Sequence, residues 1–319
     1  MSRAFVFPGQ GAQTIGMGRD LALAYPAALH VFEAVDEALG EALSTLIWQG
    51  EADALTLTRN AQPALMATSV AALRALEAEG LSVADHAAFV AGHSLGEYSA
   101  LVAVGSITLE DAARLLRTRG EAMQSAVPVG EGAMAALLGL DFDAAKAVAD
   151  EAAQGQVCQA ANDNDPGQVV VSGQREAVER ALDIAKGKGA KRAMLLPVSA
   201  PFHCDLMAPA AGVMAEALDD VDIRDPSVPL IANVTASPVT DARDIRALLV
   251  DQVTGSVRWR ESVMRMAAEG VTEIWEIGAG KALSGMIRRI DRTLETRAVG
   301  TPEQVAEAAK SVEEGPANV

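Results

Sequence analysis

The stretch VAGHSLGEYSALVAVG, residues 90–105, constrains the fold more than any other part of the chain. Gly92-His93-Ser94-Leu95-Gly96 places a serine between two glycines, the G-x-S-x-G spacing of a sharp strand-to-helix turn. The apolar run AAFVAG feeding it reads as a strand, and LGEYSALVAV after it reads as a helix. The glycines let the backbone turn tightly and leave Ser94 at a helix N-terminus. Free N–H groups and the positive end of the macrodipole there favour a developing oxyanion. A serine so placed is either a nucleophile or simply a helix cap. The strand-turn-helix context favours the nucleophile.

The rest of the chain repeats this rhythm. RAFVF (3–7) reads as a short buried strand ended by Pro8-Gly9. Helical periodicity runs through RDLALAYPAALHVFEAVDEAL with a break at Pro26, and another helix is expected from Gln62-Pro63 to Glu79, with the proline in its first turn. Strands separated by such helices predict an α/β fold with a mostly parallel sheet covered on both faces. After Val127 the order becomes β-α-β-β-α-β, the ferredoxin-like split βαβ. Residues 127–197 are therefore expected as an inserted α+β subdomain, with 1–126 and 198–300 forming the large α/β domain and 301–319 a C-terminal tail.

Composition excludes several functions. Half of the 319 residues are hydrophobic and only 3% aromatic, so the core must be Ala, Leu and Val. No apolar run approaches the ~18 residues needed to cross a bilayer. No signal peptide is visible, and Cys158 and Cys204 make no disulfide framework. These features predict a soluble cytoplasmic protein without membrane contact. The net charge of −17 argues against nucleic acid. An acidic ligand would need local cations. Lys186, Lys188, Lys191 and Arg192, or Arg288, Arg289 and Arg292, form the candidate clusters, unless they are solvated surface charge.

A serine nucleophile needs a base, and the chain has four histidines. His93 is expected to diverge from Ser94 on so sharp a turn, and His30 and His86 lack polar company. His203, in PVSAPFHCDLM, follows a strand end, where parallel sheets place their sites, and is the base by elimination. Cys204 beside it reads as a small core residue. The segment LEDAARLLRTRGEAMQS (109–125) reads as a helix capped by Thr108, with an apolar stripe at 109, 112, 113, 116, 120 and 123. Arg119 lies at the edge of that stripe. A buried guanidinium requires an anion, either an internal Asp or Glu or a substrate carboxylate. The residues themselves leave these two equal.

FVFPGQGAQ, GHSLGEYSAL, RTRGEAMQSAVPVGEGAMAA, ANDNDPGQVVVSG, PVSAPFHCDLM and EIGAGKALSGMIRRI, in that order, resemble the malonyl-CoA:acyl carrier protein transacylase family. The resemblance extends to about Val299. It implies a large domain with a hydrolase-like core, an inserted ferredoxin-like subdomain and an active site in the groove between them. It implies Ser94 as nucleophile, His203 as base and Arg119 as the malonyl carboxylate site. Backbone N–H groups of Gln10 and Leu95 would form the oxyanion hole, with Gln252 and Asn162 ordering the site. Ala279 departs from the proline that many members carry in that turn. The implied activity is ping-pong malonyl transfer from coenzyme A to the phosphopantetheine thiol of acyl carrier protein, in fatty acid biosynthesis. No metal or cofactor is implied, and a monomer is expected.

Three alternatives are weighed. A polyketide acyltransferase would share every motif. An α/β-hydrolase thioesterase would share G-x-S-x-G but has its histidine late in the chain, whereas over a hundred residues follow His203. A dinucleotide fingerprint at Gly9-Gln10-Gly11 fails because Thr14 stands at the third glycine position.

Overall fold

A computed structural model of the chain describes residues 2–198 and 200–314. Ten strands occur among them: β1 (Arg3–Phe7), β2 (Phe89–Gly92), β3 (Gly132–Leu138), β4 (Cys158–Asp165), β5 (Gln168–Gln174), β6 (Arg192–Leu195), β7 (Leu230–Ile231), β8 (Pro238–Val239), β9 (Glu273–Ile277) and β10 (Glu295–Val299). Six form one sheet in the order β10-β9-β1-β2-β7-β8, parallel throughout except at the β8 edge. β1 lies inside this sheet and its side chains alternate. Phe5 and Phe7 enter the main core, while Ala4 and Val6 join a second layer with Ala91, Trp259 and Ile274. Burial on both faces is why the strand reads as an unbroken apolar run.

The other four strands form a separate antiparallel sheet in the order β4-β5-β3-β6. Helices Phe142–Ala153 and Arg175–Gly187 complete the expected β-α-β-β-α-β succession. Val169 and Val171 pack under these helices, whereas Val170 and Met134 emerge on the opposite face, toward the larger unit. An isolated bridge between Asn162 and Val257 ties the two units together.

Two sequence expectations are corrected. The segment after Gly300 is no tail as far as Glu314: Pro302–Glu313 is a helix capped by Thr301, whose hydroxyl accepts from the Gln304 N–H at 3.3 Å. Its Val305 and Ala308 are fully buried in the main core. Residues 315–319 lie outside the described part. The second correction concerns Pro63. The helix begins at Thr58 and runs to Ala78, with Pro63 inside it. A proline there deprives the Arg59 carbonyl of its helical donor. The Arg117 guanidinium supplies one instead, at 2.8 Å, and also donates to Asn60 Oδ1 at 2.6 Å and pairs with Glu41. A side chain remote in sequence thus stabilises a proline that local rules place at a helix start. Among the described residues no helix is long and apolar enough to cross a membrane.

Replacing Arg117 with Met is expected to lower stability by about 1–3 kcal/mol, since the Arg59 carbonyl loses its donor. Pro63→Ala in that background should recover part of the loss by restoring a helical N–H. Urea unfolding of the singles and the double checks this, and strictly additive effects would contradict it.

Candidate active site

The serine turn grows directly out of the parallel sheet. β2 pairs with β1, and the His93 N–H extends the ladder by donating to the Phe7 carbonyl at 3.0 Å. The chain then folds back at once into helix Gly96–Ala103. Both glycines are sterically required. A Cβ on Gly92 would lie 1.9 Å from the Gly96 carbonyl carbon, and one on Gly96 would lie 2.3 Å from the Phe7 oxygen. Between them Ser94 holds a φ of 52°, a left-handed conformation that costs a serine free energy and persists only when its surroundings enforce it. Asn233, just beyond β7, does so. Its Oδ1 accepts from the Ser94 N–H at 2.7 Å, and its Nδ2 donates to the Gly92 carbonyl at 2.6 Å.

His203 meets the serine from the loop after β6. Its Nε2 lies 2.9 Å from Ser94 Oγ, and its Nδ1 lies 2.9 Å from the Gln252 carbonyl oxygen. A carbonyl only accepts, so Nδ1 carries the hydrogen and Nε2 is left to accept from the hydroxyl. Among the described residues no carboxylate orients this imidazole; a backbone oxygen does. Burial, reinforced by the nearby Arg119 charge, holds the imidazole down at about 3, so it stays neutral across the physiological range.

Arg119 is 1% exposed and reaches the same point from helix Leu109–Ser125. It donates to Gln62 Oε1 and Gln252 Oε1, each at 2.8 Å, and to Ser94 Oγ at 3.1 Å. All three acceptors are neutral, and Arg119 forms no salt bridge among the described residues. Among the described residues no Asp or Glu pairs with it directly; the buried Glu97, whose charge it feels, meets it only through the Gln252 amide. The arginine faces a cavity of about 500 Å³ whose wall also includes Ser94, His203, Gln10 and Asn162. Ala282, Leu283 and Met286 also line it, as do Met134 and Val170. The period-2 alternation of β3 and β5 is what turns those two residues inward.

The Gln10 and Leu95 backbone N–H groups have no hydrogen-bond partner among the described residues. Gln252 is fully buried behind the cavity: its Nε2 donates to the Ser94 carbonyl at 3.0 Å and to Glu97 Oε2 at 2.7 Å. Of the cationic clusters, Lys186 pairs with Asp183, Lys188 with Glu151 and Arg289 with Asp165. Cys204 is buried, its thiol pushed up to about 11 by burial, in keeping with a core residue.

Sequence reasoning missed two residues here. Asn233 and Glu97 lie in the network, and Glu97 Oε2 accepts from the Asn233 N–H at 3.2 Å. Asn233 follows a two-residue strand with no motif to mark it. Glu97 sits within the serine motif, where a helix-start acid has an ordinary explanation. His93 does turn away from Ser94, but it still lines the cavity, with Nε2 2.9 Å from Asn164 Oδ1 and its ring against Trp259.

Because the folded chain keeps His203 neutral while an unfolded chain protonates it below about pH 6.5, this group makes stability fall as pH drops from 6.5 toward 3. Nitrogen-15 NMR of histidine-labelled protein at pH 5 should show His203 neutral, with the hydrogen on Nδ1. A charged imidazole at that pH would contradict the geometry.

A family model described as "Acyl transferase domain" matches residues 4–311. The malonyl CoA-acyl carrier protein transacylase of Bacillus subtilis (strain 168) is 50% identical over 98% of this chain and 97% of its own length. The crystal structure of an acyl-carrier-protein-S-malonyltransferase from Bartonella henselae superposes with a TM-score of 0.95 at 55% identity, covering 97% of this chain and 99% of that one. A type II PKS acyl-carrier protein in complex with its malonyl-transacylase gives 0.94 at 43% identity, with 97% and 99% covered. A serine elbow, a carbonyl-oriented histidine and a buried arginine that touches no carboxylate among the described residues thus lie on a chain that matches these proteins along nearly its full length: it is an acyltransferase and belongs to the malonyl CoA-acyl carrier protein transacylase family.

Proposed function

We propose that the enzyme moves a malonyl group from malonyl-CoA to the phosphopantetheine thiol of an acyl carrier protein, through an ester on Ser94, in fatty acid biosynthesis. The observation that carries this reading is the Arg119 guanidinium. It is buried, without a carboxylate partner, and 3.1 Å from Ser94 Oγ. A short acyl group ending in a carboxylate would satisfy it while its other carbonyl stands at the serine.

Ser94 Oγ attacks the thioester carbonyl as its proton passes to His203 Nε2. The resulting oxyanion is held by the Gln10 and Leu95 N–H groups, where one such donor is typically worth on the order of 100-fold in rate. The C–S bond then breaks and the departing thiolate takes the proton from His203. In the second half the carrier's thiol gives its proton to His203 and attacks the ester. The C–O bond breaks and Ser94 regains its hydrogen. Neither half requires a metal or redox cofactor. Asn162, on the cavity wall, and Gln252, behind it, are read as ordering residues. The hydrolase-like description of the large sheet belongs to the same reading, supported by parallel strands feeding the serine turn.

Acyl carrier protein is read as the partner, in line with the type II PKS carrier bound to its malonyl-transacylase. A cytoplasmic location and a monomer complete the proposal; two free, buried cysteines support the former. A polyketide carrier is the second reading, favoured by the likeness to the type II PKS complex. Rates with the two kinds of carrier would separate them.

Arg119→Ala should reduce malonyl-CoA use by roughly 100-fold or more while acetyl-CoA use changes little, because only the former loses a charge-assisted pair. Steady-state assays with both donors and a loaded carrier check this. Equal losses for both would make the arginine structural and remove the reading.

A further inference from the structure

Gln252 presents the two ends of one amide to different partners. Its Oε1 faces Arg119 at 2.8 Å; its Nε2 faces the Ser94 carbonyl at 3.0 Å and Glu97 Oε2 at 2.7 Å. The two ends of an amide are nearly equal in shape, so packing alone does not choose between them, and hydrogen-bond partners do. An NH2 group has two hydrogens, and both are satisfied here only because Glu97 takes the second. Glu97 is itself held, since the Asn233 N–H donates to the same oxygen at 3.2 Å. Neither Glu97 nor Gln252 lines the cavity, whereas Arg119 and Gln62 do. Whatever Glu97 does for an acyl group, it does through its neighbours.

We propose that Glu97 is a positioning residue for acyl selection: it locks the Gln252 amide in one orientation, and that amide in turn aims the Arg119 guanidinium at the carboxylate of the acyl group. The inference rests on the malonyl reading above and deepens it. Without an acceptor at position 97, one Gln252 N–H is orphaned in the interior. Rotating the amide to find another partner pulls Oε1 away from Arg119. The guanidinium then keeps Gln62 and Ser94 as acceptors and swings toward them, off the line of the carboxylate.

The role proposed for Glu97 is that of a hydrogen-bond acceptor, and it holds in either protonation state. Burial pushes the Glu97 carboxyl up to about 7, against the opposing hydrogen bonds from Gln252 and the Asn233 backbone and the Arg119 charge. A carboxyl that carries a proton below neutrality still offers a carbonyl oxygen. A glutamine in its place would do the same, and a leucine would not.

The test compares malonyl-CoA and acetyl-CoA as donors for wild type, Glu97→Leu and Glu97→Gln, each with its thermal midpoint. In Glu97→Leu, kcat/KM for malonyl-CoA should fall on the order of 10-fold, chiefly through KM, with acetyl-CoA within about 3-fold of wild type. Glu97→Gln should restore malonyl use to within about 3-fold. Equal losses for both donors in a folded Glu97→Leu would overturn the proposal, as would a glutamine variant no better than leucine. Should the leucine variant not fold, the glutamine variant decides alone: retained preference for malonyl supports the proposal and lost preference overturns it. A wild-type chain that takes no malonyl would sink the functional reading and this inference together. A malonyl-using wild type with a folded Glu97→Leu whose preference is unchanged sinks only the inference.

Discussion

A guanidinium taken out of water with no carboxylate in direct contact among the described residues is the constraint around which this molecule is organised. Burying an unpaired cation costs several kcal/mol, and dipoles offset only part of that cost. Around Arg119 the dipoles are the oxygens of Gln62, Gln252 and Ser94, one each from helix Thr58–Ala78, helix Ala242–Thr254 and the serine turn. Three separate elements therefore converge on one charge. Its remaining deficit is what makes an incoming anion favourable, so the site is less stable than an internal ion pair and more useful.

One of these elements, helix Ala242–Thr254, also holds the reacting groups. Gln252 accepts from Arg119 through its side chain and from His203 through its backbone, and it donates to the Ser94 carbonyl. Displacing one of these contacts disturbs the others, which is how selection and chemistry come to share a single geometry. The antiparallel sheet contributes differently. Its inner face supplies Met134 and Val170, apolar surface that lines the cavity and lowers the local dielectric around the charge.

Much of this was legible in the sequence where the physics is local. β1 coincides with RAFVF because a doubly buried strand is an apolar run, and helix Leu109–Ser125 matches its capped, periodic segment. Ser94 was readable because a G-x-S-x-G turn cannot form without its glycines, and His203 because so few histidines exist. Contacts distant in sequence were not readable. Pro63 looked like a helix start because nothing near it reveals that Arg117 would replace the missing donor. The last helix looked like a tail because its apolar residues gain their burial only against the main core. Asn233 and Glu97 carry no pattern at all, since their importance lies in meeting Ser94 and Gln252 across 139 and 155 residues of chain.

The account stands on Ser94 forming a covalent bond to a malonyl group that Arg119 holds by its carboxylate. Intact-mass spectrometry after brief mixing with malonyl-CoA and acid quench reads that bond directly. A mass increase of one malonyl group, absent in Ser94→Ala, is the predicted result. An unchanged mass, or an adduct that survives the substitution, would contradict it.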